Sequence, residues 1–326
     1  MKQVCFLIPE TTLVPLSLFG AIEIFQKAND YFTDKGEAPV YELKLAGFDS
    51  AQHFLNAQLA IKPILDIKSV SRPDLVIIPA IIPDGNLSGN NNRQLLNWVV
   101  TQYKAGVEIA SLCAGAFFLA ATGLLNGKEC STHWRSEGDF ITLYPDTILR
   151  TDKIMTDSNG IYTAGGALSS LNLILYFIEK FNGREVAVYC SKILEIDINR
   201  NSQAPFILFE GQKNHIDEEI KKAQEFIEKN IEAKLSVEDL ANRFNISRRS
   251  FIRRFQKATN NSPLEYIQRV KIEAAKRMLE VGRMNVNEVM YSLGYLDLKA
   301  FRTIFRKVTG LSPIEYRNRY NKDFYQ

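Results

Sequence analysis

One cysteine occupies a sequence context in which a thiol could do chemistry. Residues 107–116, VEIASLCAGA, predict a buried strand, a sharp turn at Cys113 and the start of a helix, as in a nucleophile elbow. Ala114 and Gly115 are small enough to let this turn close. The N-terminus of the new helix would favour the Cys113 thiolate and offer backbone N–H groups to an anion. His133 lies 20 residues further on, so Cys113 and His133 could act as nucleophile and base.

A second group of residues, near the C-terminus, could bind a polyanion. Residues 234–326 contain 19 Lys and Arg against 9 Asp and Glu, a local charge of +10. The remaining 21 Lys and Arg against 28 Asp and Glu give −7 for the rest of the chain. This asymmetry indicates a polyanionic partner at one end of the molecule, with a solvated Lys/Arg surface as the alternative.

The basic region repeats itself at an offset of 50 residues. Eight identities, among them a proline and three aromatic residues, fall in the 16 positions from 251 to 266. The identical pairs are Phe251/Phe301, Phe255/Phe305, Lys257/Lys307, Thr259/Thr309, Ser262/Ser312, Pro263/Pro313, Glu265/Glu315 and Tyr266/Tyr316. Such a match predicts a duplicated structural unit.

Each copy predicts two short helices joined by a tight turn. Ser236 and Ser247 are the expected N-caps of the first copy, and Asp297 begins the second helix of the second copy. Apolar residues recur at helical spacing after these caps. The pattern predicts two helix-turn-helix motifs, at about residues 235–259 and 285–309, whose second helices can enter a DNA major groove.

The helix between the two copies, from Pro263 to about Gly282, would be roughly 30 Å long. This length is close to one turn of DNA, about 34 Å, so one chain could place two helices in successive major grooves. Phe251 and Phe255, together with their repeats Phe301 and Phe305, are expected in the core rather than against DNA bases.

The first 200 residues alternate short apolar strands with helices. Strands are predicted at residues 4–8, 41–46, 75–79 and 107–112, and helices at residues 16–29, 92–104, 114–125 and 169–181. This alternation predicts an α/β domain with a doubly wound, mostly parallel sheet of the flavodoxin-like type, followed by an all-α domain with two helix-turn-helix motifs. Ligands of such sheets bind at the carboxyl ends of the strands, where Cys113 is expected.

Residues 217–326 resemble the AraC/XylS family of bacterial transcriptional regulators. The segments SPLEY at 262–266 and GLSPIEYR at 310–317 are similar to the family pattern Gly-x-Ser-Pro-x-x-Tyr. Asn261 takes the place of the glycine in the first copy, where a left-handed backbone is expected.

This resemblance implies DNA contacts from both second helices of the repeat. Base contacts are expected from Arg249 and Arg253 in the first copy and from Lys299, Arg302 and Thr303 in the second. For Arg254 and Lys257 a phosphate contact and simple solvation both remain open, and Arg306 is a further exposed candidate for DNA binding.

Residues 111–134 resemble the PfpI/ThiJ superfamily of class I glutamine amidotransferase-like domains, and most closely its GlxA-like branch fused to AraC-type domains. The matching motifs are Cys-x-Gly-Ala at 113–116, Leu-Ala-x-x-Gly-Leu-Leu-x-Gly at 119–127 and Thr-His-Trp at 132–134. Residues 162–166 and 203–206, with Arg200, add further support. In that branch the first domain is a sensory and dimerising module.

The sequence departs from the catalytic members of that superfamily near the thiol. Residues 13–18 contain no acidic side chain, and no acid stands two residues after His133. Three interpretations follow: Cys113, Ala114 and His133 line a ligand pocket; Cys113 is a thiol-based sensor; or Cys113 serves an enzyme acting on an amide, nitrile-like or carbonyl substrate. The first is preferred because Cys113 lacks an orienting partner.

The sequence therefore predicts an amidotransferase-like sensory and dimerisation domain at residues 1–200, a linker at 201–216 and an AraC-type DNA-binding domain at 217–326. The expected function is a sequence-specific transcriptional regulator rather than an enzyme. Expected partners are double-stranded DNA, an unknown small-molecule effector, a second copy of the chain and RNA polymerase, with no metal or cofactor. Four scattered cysteines and the lack of a long apolar segment predict a cytoplasmic protein away from membranes.

Overall fold

The computed structural model describes residues 1–48, 52–54, 59–83, 87, 89–200 and 202–321. Its chain divides into two compact domains, Met1–Gln203 and Ala204–Gln326. Within the described ranges no helix is both long and apolar enough to cross a membrane. The same ranges contain no group of three or more His, Cys, Asp or Glu side chains that could hold a metal ion.

The N-terminal domain contains every strand and helix that the sequence predicted, with ends shifted by a few residues. The strands are β1 (Lys2–Ile8), β2 (Tyr41–Gly47), β3 (Gln52–Phe54), β4 (Leu59–Ile61), β5 (Leu65–Asp66), β6 (Leu75–Ile78), β7 (Glu108–Ser111), β8 (Glu129–Cys130), β9 (Ile148–Leu149), β10 (Met155–Ser158) and β11 (Ile161–Ala164). The helices are α1 (Pro15–Thr33), α2 (Asn90–Lys104), α3 (Gly115–Ala121), α4 (Glu137–Leu143), α5 (Leu171–Asn182) and α6 (Arg184–Ile193).

Seven of these strands form one sheet in the order β10-β11-β7-β6-β1-β2-β5. Neighbouring strands are parallel except at one edge, where β10 runs antiparallel to β11. Strands β1, β6 and β7 are almost completely buried, because parallel strands joined by helical crossovers are covered on both faces. The predicted mostly parallel α/β sheet is confirmed.

The C-terminal domain is helical. Its helices are α7 (Glu218–Lys229), α8 (Val237–Arg243), α9 (Arg248–Thr259), α10 (Pro263–Val281), α11 (Val286–Ser292), α12 (Leu298–Thr309) and α13 (Pro313–Tyr320). We call α7–α9 the first unit and α10–α12 the second unit. Each unit has its own hydrophobic cluster, built around Phe251 and Phe255 or around Phe301 and Phe305. All four rings are fully buried, which confirms their predicted place in the core.

The duplication extends beyond the segment that matches at an offset of 50. The first helices of the two units align at an offset of 52, which the buried residues reveal: Ile220/Ile272, Ala223/Ala275, Gln224/Lys276 and Ile227/Leu279. The second helices align at an offset of 49, with N-caps Ser236 and Asn285. Small insertions and deletions between the helices hid this part of the repeat from a comparison at one fixed offset.

The turn between the second and third helices is one residue longer in the second unit. Each turn contains a residue in the left-handed region, Asn245 with φ 53° in the first unit and Gly294 with φ 71° in the second. The additional residue is Leu296, which is 84% exposed just before the N-cap Asp297. The two third helices then return to an offset of 50.

The left-handed residue that ends α9 is Asn260, with φ 54°, and not Asn261 as expected. Its counterpart at the end of α12 is Gly310, with φ 74°. The helix ends at Thr259, so the next residue takes the left-handed conformation that closes many helices. Asn261 is buried instead, and its side-chain amide donates to Thr259 O at 2.6 Å.

Candidate thiol site and nucleic-acid interface

Cys113 forms a strained turn between β7 and α3. Its φ of 53° lies in the left-handed region, which is uncommon for a residue with a side chain. A Cβ on Gly115 would lie 2.5 Å from Pro79 O, so only glycine fits at that position. Cys113 N–H donates to Ala164 O at 3.1 Å, and Thr132 Oγ1 donates to Cys113 O at 3.0 Å. Neighbouring strand ends therefore hold the predicted elbow in place.

The Cys113 thiol is buried, and burial changes its chemistry. Only 8% of the residue is exposed, and burial raises the pKa of the Cys113 thiol above its ordinary value. Backbone N–H groups of Ala167 and Ala114 bond the sulfur and lower the pKa by a smaller amount. The expectation of a favoured thiolate is therefore wrong, because desolvation outweighs the two donors.

His133 does not act on Cys113 in this structure. Its ring packs over Gly166, where a Cβ would lie 2.0 Å from His133 Cδ2. His133 Nδ1 accepts from Arg135 N–H at 3.1 Å, and burial lowers the pKa of His133. In the part of the chain that the structure describes, no hydrogen bond joins His133 to Cys113. A nucleophile and base pair is thus not assembled here.

The other three cysteines are core residues. Cys5, Cys130 and Cys190 are fully buried as free thiols. Burial raises the pKa of Cys5 to about 12 and the pKa values of Cys130 and Cys190 to about 11. None of the three is activated for reaction.

Gln203 contacts the loops around the thiol, a role that the sequence did not reveal. Its side chain is 2% exposed, and Oε1 accepts from Gly166 N–H at 2.8 Å. Its Nε2 is 3.1 Å from Thr132 O and 3.0 Å from both Thr151 O and Lys153 O. Gln203 therefore joins the loop after β11 to the segment that carries His133. Gly165 makes room for the amide, since a Cβ there would lie 2.1 Å from Gln203 Cδ.

The segment predicted as a linker at 201–216 is ordered by contacts with both of its neighbours; Asn201 lies outside the described residues. Ser202 and Gln203 bond within the N-terminal domain, whereas the residues from Ala204 onward belong to the C-terminal domain. Ile207 O accepts from Lys276 Nζ at 2.6 Å, and Phe209 N–H donates to Glu273 Oε2 at 3.1 Å. Lys276 and Glu273 are themselves buried on α10, so they need such partners. We refer to residues 204–217 as the connecting segment.

Both helix-turn-helix units present basic side chains on their third helix. Arg249, Arg253 and Lys257 are exposed along α9 at intervals of four residues, which places them on one face. On α12 the exposed candidates are Lys299, Arg302, Thr303 and Arg306. The Thr303 hydroxyl donates to Lys299 O at 2.8 Å. The structure thus brings both predicted sets to the surface, each on one short helix.

Arg254 differs from the other DNA-binding candidates because its guanidinium has a partner within the protein. Nε is 2.8 Å from Asp217 Oδ2, and Nη2 is 2.6 Å from Asp217 Oδ1. This bidentate pair lowers the pKa of Asp217, and the Arg254 side chain is 35% exposed. Asp217 also accepts from Ile220 N–H at 3.3 Å as the N-cap of α7. Arg254 therefore anchors α9 to the end of the connecting segment.

A surface cavity lies beside this ion pair. Its volume is about 860 Å³, and its lining includes His215, Asp217, Arg253, Arg254 and Lys257. Two of the predicted DNA contacts, Arg253 and Lys257, therefore border the N-terminus of α7. The acidic residues there reduce the local positive charge of the first unit.

Comparison with known proteins adds family relationships for both domains. Residues 240–319 match the Helix-turn-helix domain family, and residues 41–180 match the DJ-1/PfpI family. The chain is 25% identical over 309 residues to the HTH-type transcriptional regulator GbdR of Pseudomonas aeruginosa, which covers 93% of this chain and 80% of that protein. It is 24% identical over 219 residues to the HTH-type transcriptional regulator GlxA of Rhizobium meliloti, which covers 66% of this chain and 67% of that protein.

A solved structure shares part of the fold. The AraC family transcriptional regulator from Pseudomonas putida superposes with a TM-score of 0.50 at 17% identity, over 60% of this chain and 100% of that one. At this identity the likeness concerns the fold alone. Both matched families stand in the order that the sequence predicted, and the two relatives are named as transcriptional regulators.

Proposed function

The chain belongs to the AraC-family transcriptional regulators that carry an N-terminal DJ-1/PfpI-family domain, and from this premise we propose that both helix-turn-helix units together bind one specific DNA sequence. The observation that carries the proposal is the duplicated unit with exposed basic side chains on both α9 and α12. The 19 residues of α10, at 1.5 Å each, form a helix about 29 Å long between α9 and α11. Two successive major grooves, about 34 Å apart, are a suitable target.

The candidate contacts divide by chemistry. Arg249 and Arg253 on α9, and Lys299 and Arg302 on α12, are proposed to donate to base edges, where Arg and Lys favour guanine. Thr303 can contact a thymine methyl group or a base edge. Lys257 and Arg306 are proposed to contact phosphates. Arg254 positions α9 through Asp217, and its remaining exposed edge can reach a phosphate.

Footprinting and a salt series on the full-length protein test this proposal. We expect a protected site that covers two adjacent major grooves, and an affinity that falls steeply with salt because phosphate neutralisation releases counterions. Arg253→Ala should cost roughly 1–3 kcal/mol and relax discrimination at one base pair. Binding without sequence preference, or without salt dependence, would contradict the proposal.

We further propose that a small-molecule effector binds the N-terminal domain near Cys113, Ala114 and His133, and that this domain forms a homodimer. The placement rests on the loop after β11, whose Ala167 N–H bonds the Cys113 sulfur and whose Gly166 N–H bonds Gln203. Gln203 directly precedes the connecting segment, which ends at Asp217 and its ion pair with Arg254. A ligand that moves this loop would change the Gln203 contacts and thereby act on the connecting segment. A cytoplasmic location and contact with RNA polymerase complete the proposal.

Thermal shift against a panel of small metabolites tests the effector, since a ligand that binds only the folded state adds about 2.7 kcal/mol at a hundred times its Kd. Gln203→Ala should bind the same metabolite while losing the ligand-dependent change in DNA affinity. Cys113→Ala should keep that response, because the raised pKa of Cys113 leaves its thiol protonated. Loss of the response in Cys113→Ala alone would favour a thiol-based sensor. Sedimentation of the purified protein reports the dimer.

A further inference from the structure

Lys271, on α10, bonds both helix-turn-helix units at once. The residue is 6% exposed, and its Nζ donates to Ala233 O at 2.9 Å and to Leu293 O at 2.8 Å. Ala233 follows α7 in the first unit, whereas Leu293 ends α11 in the second unit. Both carbonyls lie outside regular helix, and Ala233 O also accepts from Leu235 N–H at 3.1 Å. A buried ammonium group is a fitting donor for two carbonyl oxygens at once.

The same place shows a close backbone approach between the units. A Cβ on Gly294 would lie 2.1 Å from Glu232 O, which leaves no space for any side chain. The corresponding residue of the first unit is Asn245, which has the same left-handed backbone and is exposed. The turn itself therefore accepts a side chain, and glycine is required at position 294 only because the first unit lies against it. Ile231, next to this contact, packs into the hydrophobic cluster of the second unit.

We propose that this inter-unit contact, formed by Lys271, Gly294, Leu293, Glu232 and Ala233, determines the half-site spacing that the two recognition helices accept on DNA. The proposal rests on the proposed function. Helix α10 follows α9 directly, and a junction at the start of α10 would by itself let α7–α9 bend or twist relative to α11 and α12. The inter-unit contact joins the two units at a second place and thereby fixes the relative orientation of α9 and α12.

The physical consequence concerns single base pairs. One inserted base pair moves a half-site by about 3.4 Å and rotates it by about 34° around the DNA axis. Two units held rigidly cannot follow such a displacement without losing the contacts of one recognition helix. Units that lack the contact at Lys271 and Gly294 are held less rigidly, so they can follow the displacement more readily and bind shifted sites more nearly equally.

The test uses duplexes that the full-length wild-type protein selects from a randomised library, with one base pair added or removed between the two half-sites. For the wild type we expect affinity to fall at least about 100-fold on either shifted duplex, since specific sites exceed non-specific DNA by roughly a thousandfold or more. For Lys271→Met we expect a loss of less than about 10-fold on the shifted duplexes relative to the selected one. Lys271→Arg, which retains the charge and donors, should restore the wild-type spacing preference.

Position 294 gives a second, independent pair of variants if Lys271→Met does not fold. Gly294→Asn places the residue of the first unit into the contact and should relax the spacing preference as Lys271→Met does. Asn245→Gly makes the reverse change away from the contact and should leave the spacing preference unchanged. A spacing preference that survives both Lys271→Met and Gly294→Asn overturns the proposal. So does a wild-type protein that binds its selected sequence equally at all spacings, whereas absence of any sequence selection would refute the proposed function instead.

Discussion

In the first helix-turn-helix unit the buried polar residue on the opening helix is Gln224, whereas the second unit has Lys276 at the same position of the repeat. Gln224 donates to the Tyr266 hydroxyl and to Gln212 O, both at 3.0 Å, and its Oε1 is 2.8 Å from His215 Nε2. Lys276 donates to Glu273 Oε2 at 2.7 Å and to Ile207 O at 2.6 Å. One scaffold thus accepts a neutral or a charged group, provided that every buried polar atom finds a partner.

The third helices differ in a related way. Arg254 of α9 forms an ion pair with Asp217, but the corresponding residue of α12 is Ile304, which packs against the hydrophobic cluster. The two buried phenylalanines of the third helix remain identical in the two units, whereas Phe244 of the first cluster corresponds to Leu293 in the second. Duplication has therefore preserved the residues that set the angle between the helices, while the polar residues that tie each unit to its surroundings have diverged.

The largest effects should come from the shared core and should be equal in both units. Phe255→Ala and Phe305→Ala each remove a fully buried ring, which costs about 3–5 kcal/mol of unfolding free energy. Both tryptophans lie before residue 204, so urea unfolding should be followed by helical circular dichroism instead of tryptophan fluorescence. A cost below about 1 kcal/mol for either variant would mean that the two cores are not equivalent.

The next largest loss of unfolding free energy should differ between the two units. Lys276→Met leaves the Glu273 carboxylate buried without its cation, and breaking a buried ion pair in this way costs about 3–5 kcal/mol of unfolding free energy. We expect a loss near the lower end of this range, because Phe209 N–H still donates to the carboxylate. Gln224→Met removes only neutral hydrogen bonds, for which about 1–3 kcal/mol is expected. The same urea titration measures both. Equal losses would show that the charge of Lys276 has no energetic consequence.

A smaller effect with a characteristic pH dependence is expected for Asp217→Asn in the first unit. The Arg254 guanidinium holds the pKa of Asp217 below its ordinary value, so the pair stabilises the fold above about pH 4, the pKa of an unfolded Asp. This stabilisation is lost as the pH falls through the lower folded pKa. We expect Asp217→Asn to cost about 1 kcal/mol at neutral pH, since partial exposure screens the pair, and nothing at low pH.

Glu238→Gln is the matched control for that measurement. Its carboxylate is 3.5 Å from Arg248 Nε, but both side chains are at least 60% exposed. Its effect should lie near zero at every pH. Asn can still cap α7, so a loss for Asp217→Asn that does not change between neutral and low pH would assign the effect to local packing instead of the ion pair.

The smallest effect concerns the residues that end the recognition helices. Asn260→Gly should stabilise the first unit by about 0.5 kcal/mol, because glycine adopts a left-handed backbone without a steric cost. The reverse exchange, Gly310→Asn, should destabilise the second unit by a similar amount. Thermal unfolding of the two variants would detect these shifts, and changes of the same sign would show that local backbone preference does not control them.

Much of each helix-turn-helix unit was predictable because its determinants are local. The N-caps Ser236, Ser247 and Asp297 each accept a hydrogen bond from a backbone N–H two or three residues further on, as expected. The buried phenylalanines follow from spacing along one helix face. The left-handed position after α9 was misassigned by one residue, because the pattern fixes the presence of a helix end more firmly than its exact residue.

Local sequence patterns were enough to predict the order of the two domains, the doubly wound sheet, the repeated helical unit and the elbow at Cys113. Periodicity, caps and turn residues act over a few positions, so they can be recognised from the sequence before the fold is known. The partners of the buried polar groups depend instead on how the chain packs: Asp217 bonds Arg254 across 37 residues of sequence, and Gln203 bonds Thr132 across 71. The pKa of Cys113 was decided there too, since burial by distant strands outweighed the local helix N-terminus. Partners and desolvation depend on packing across the whole domain, which no short stretch of sequence encodes.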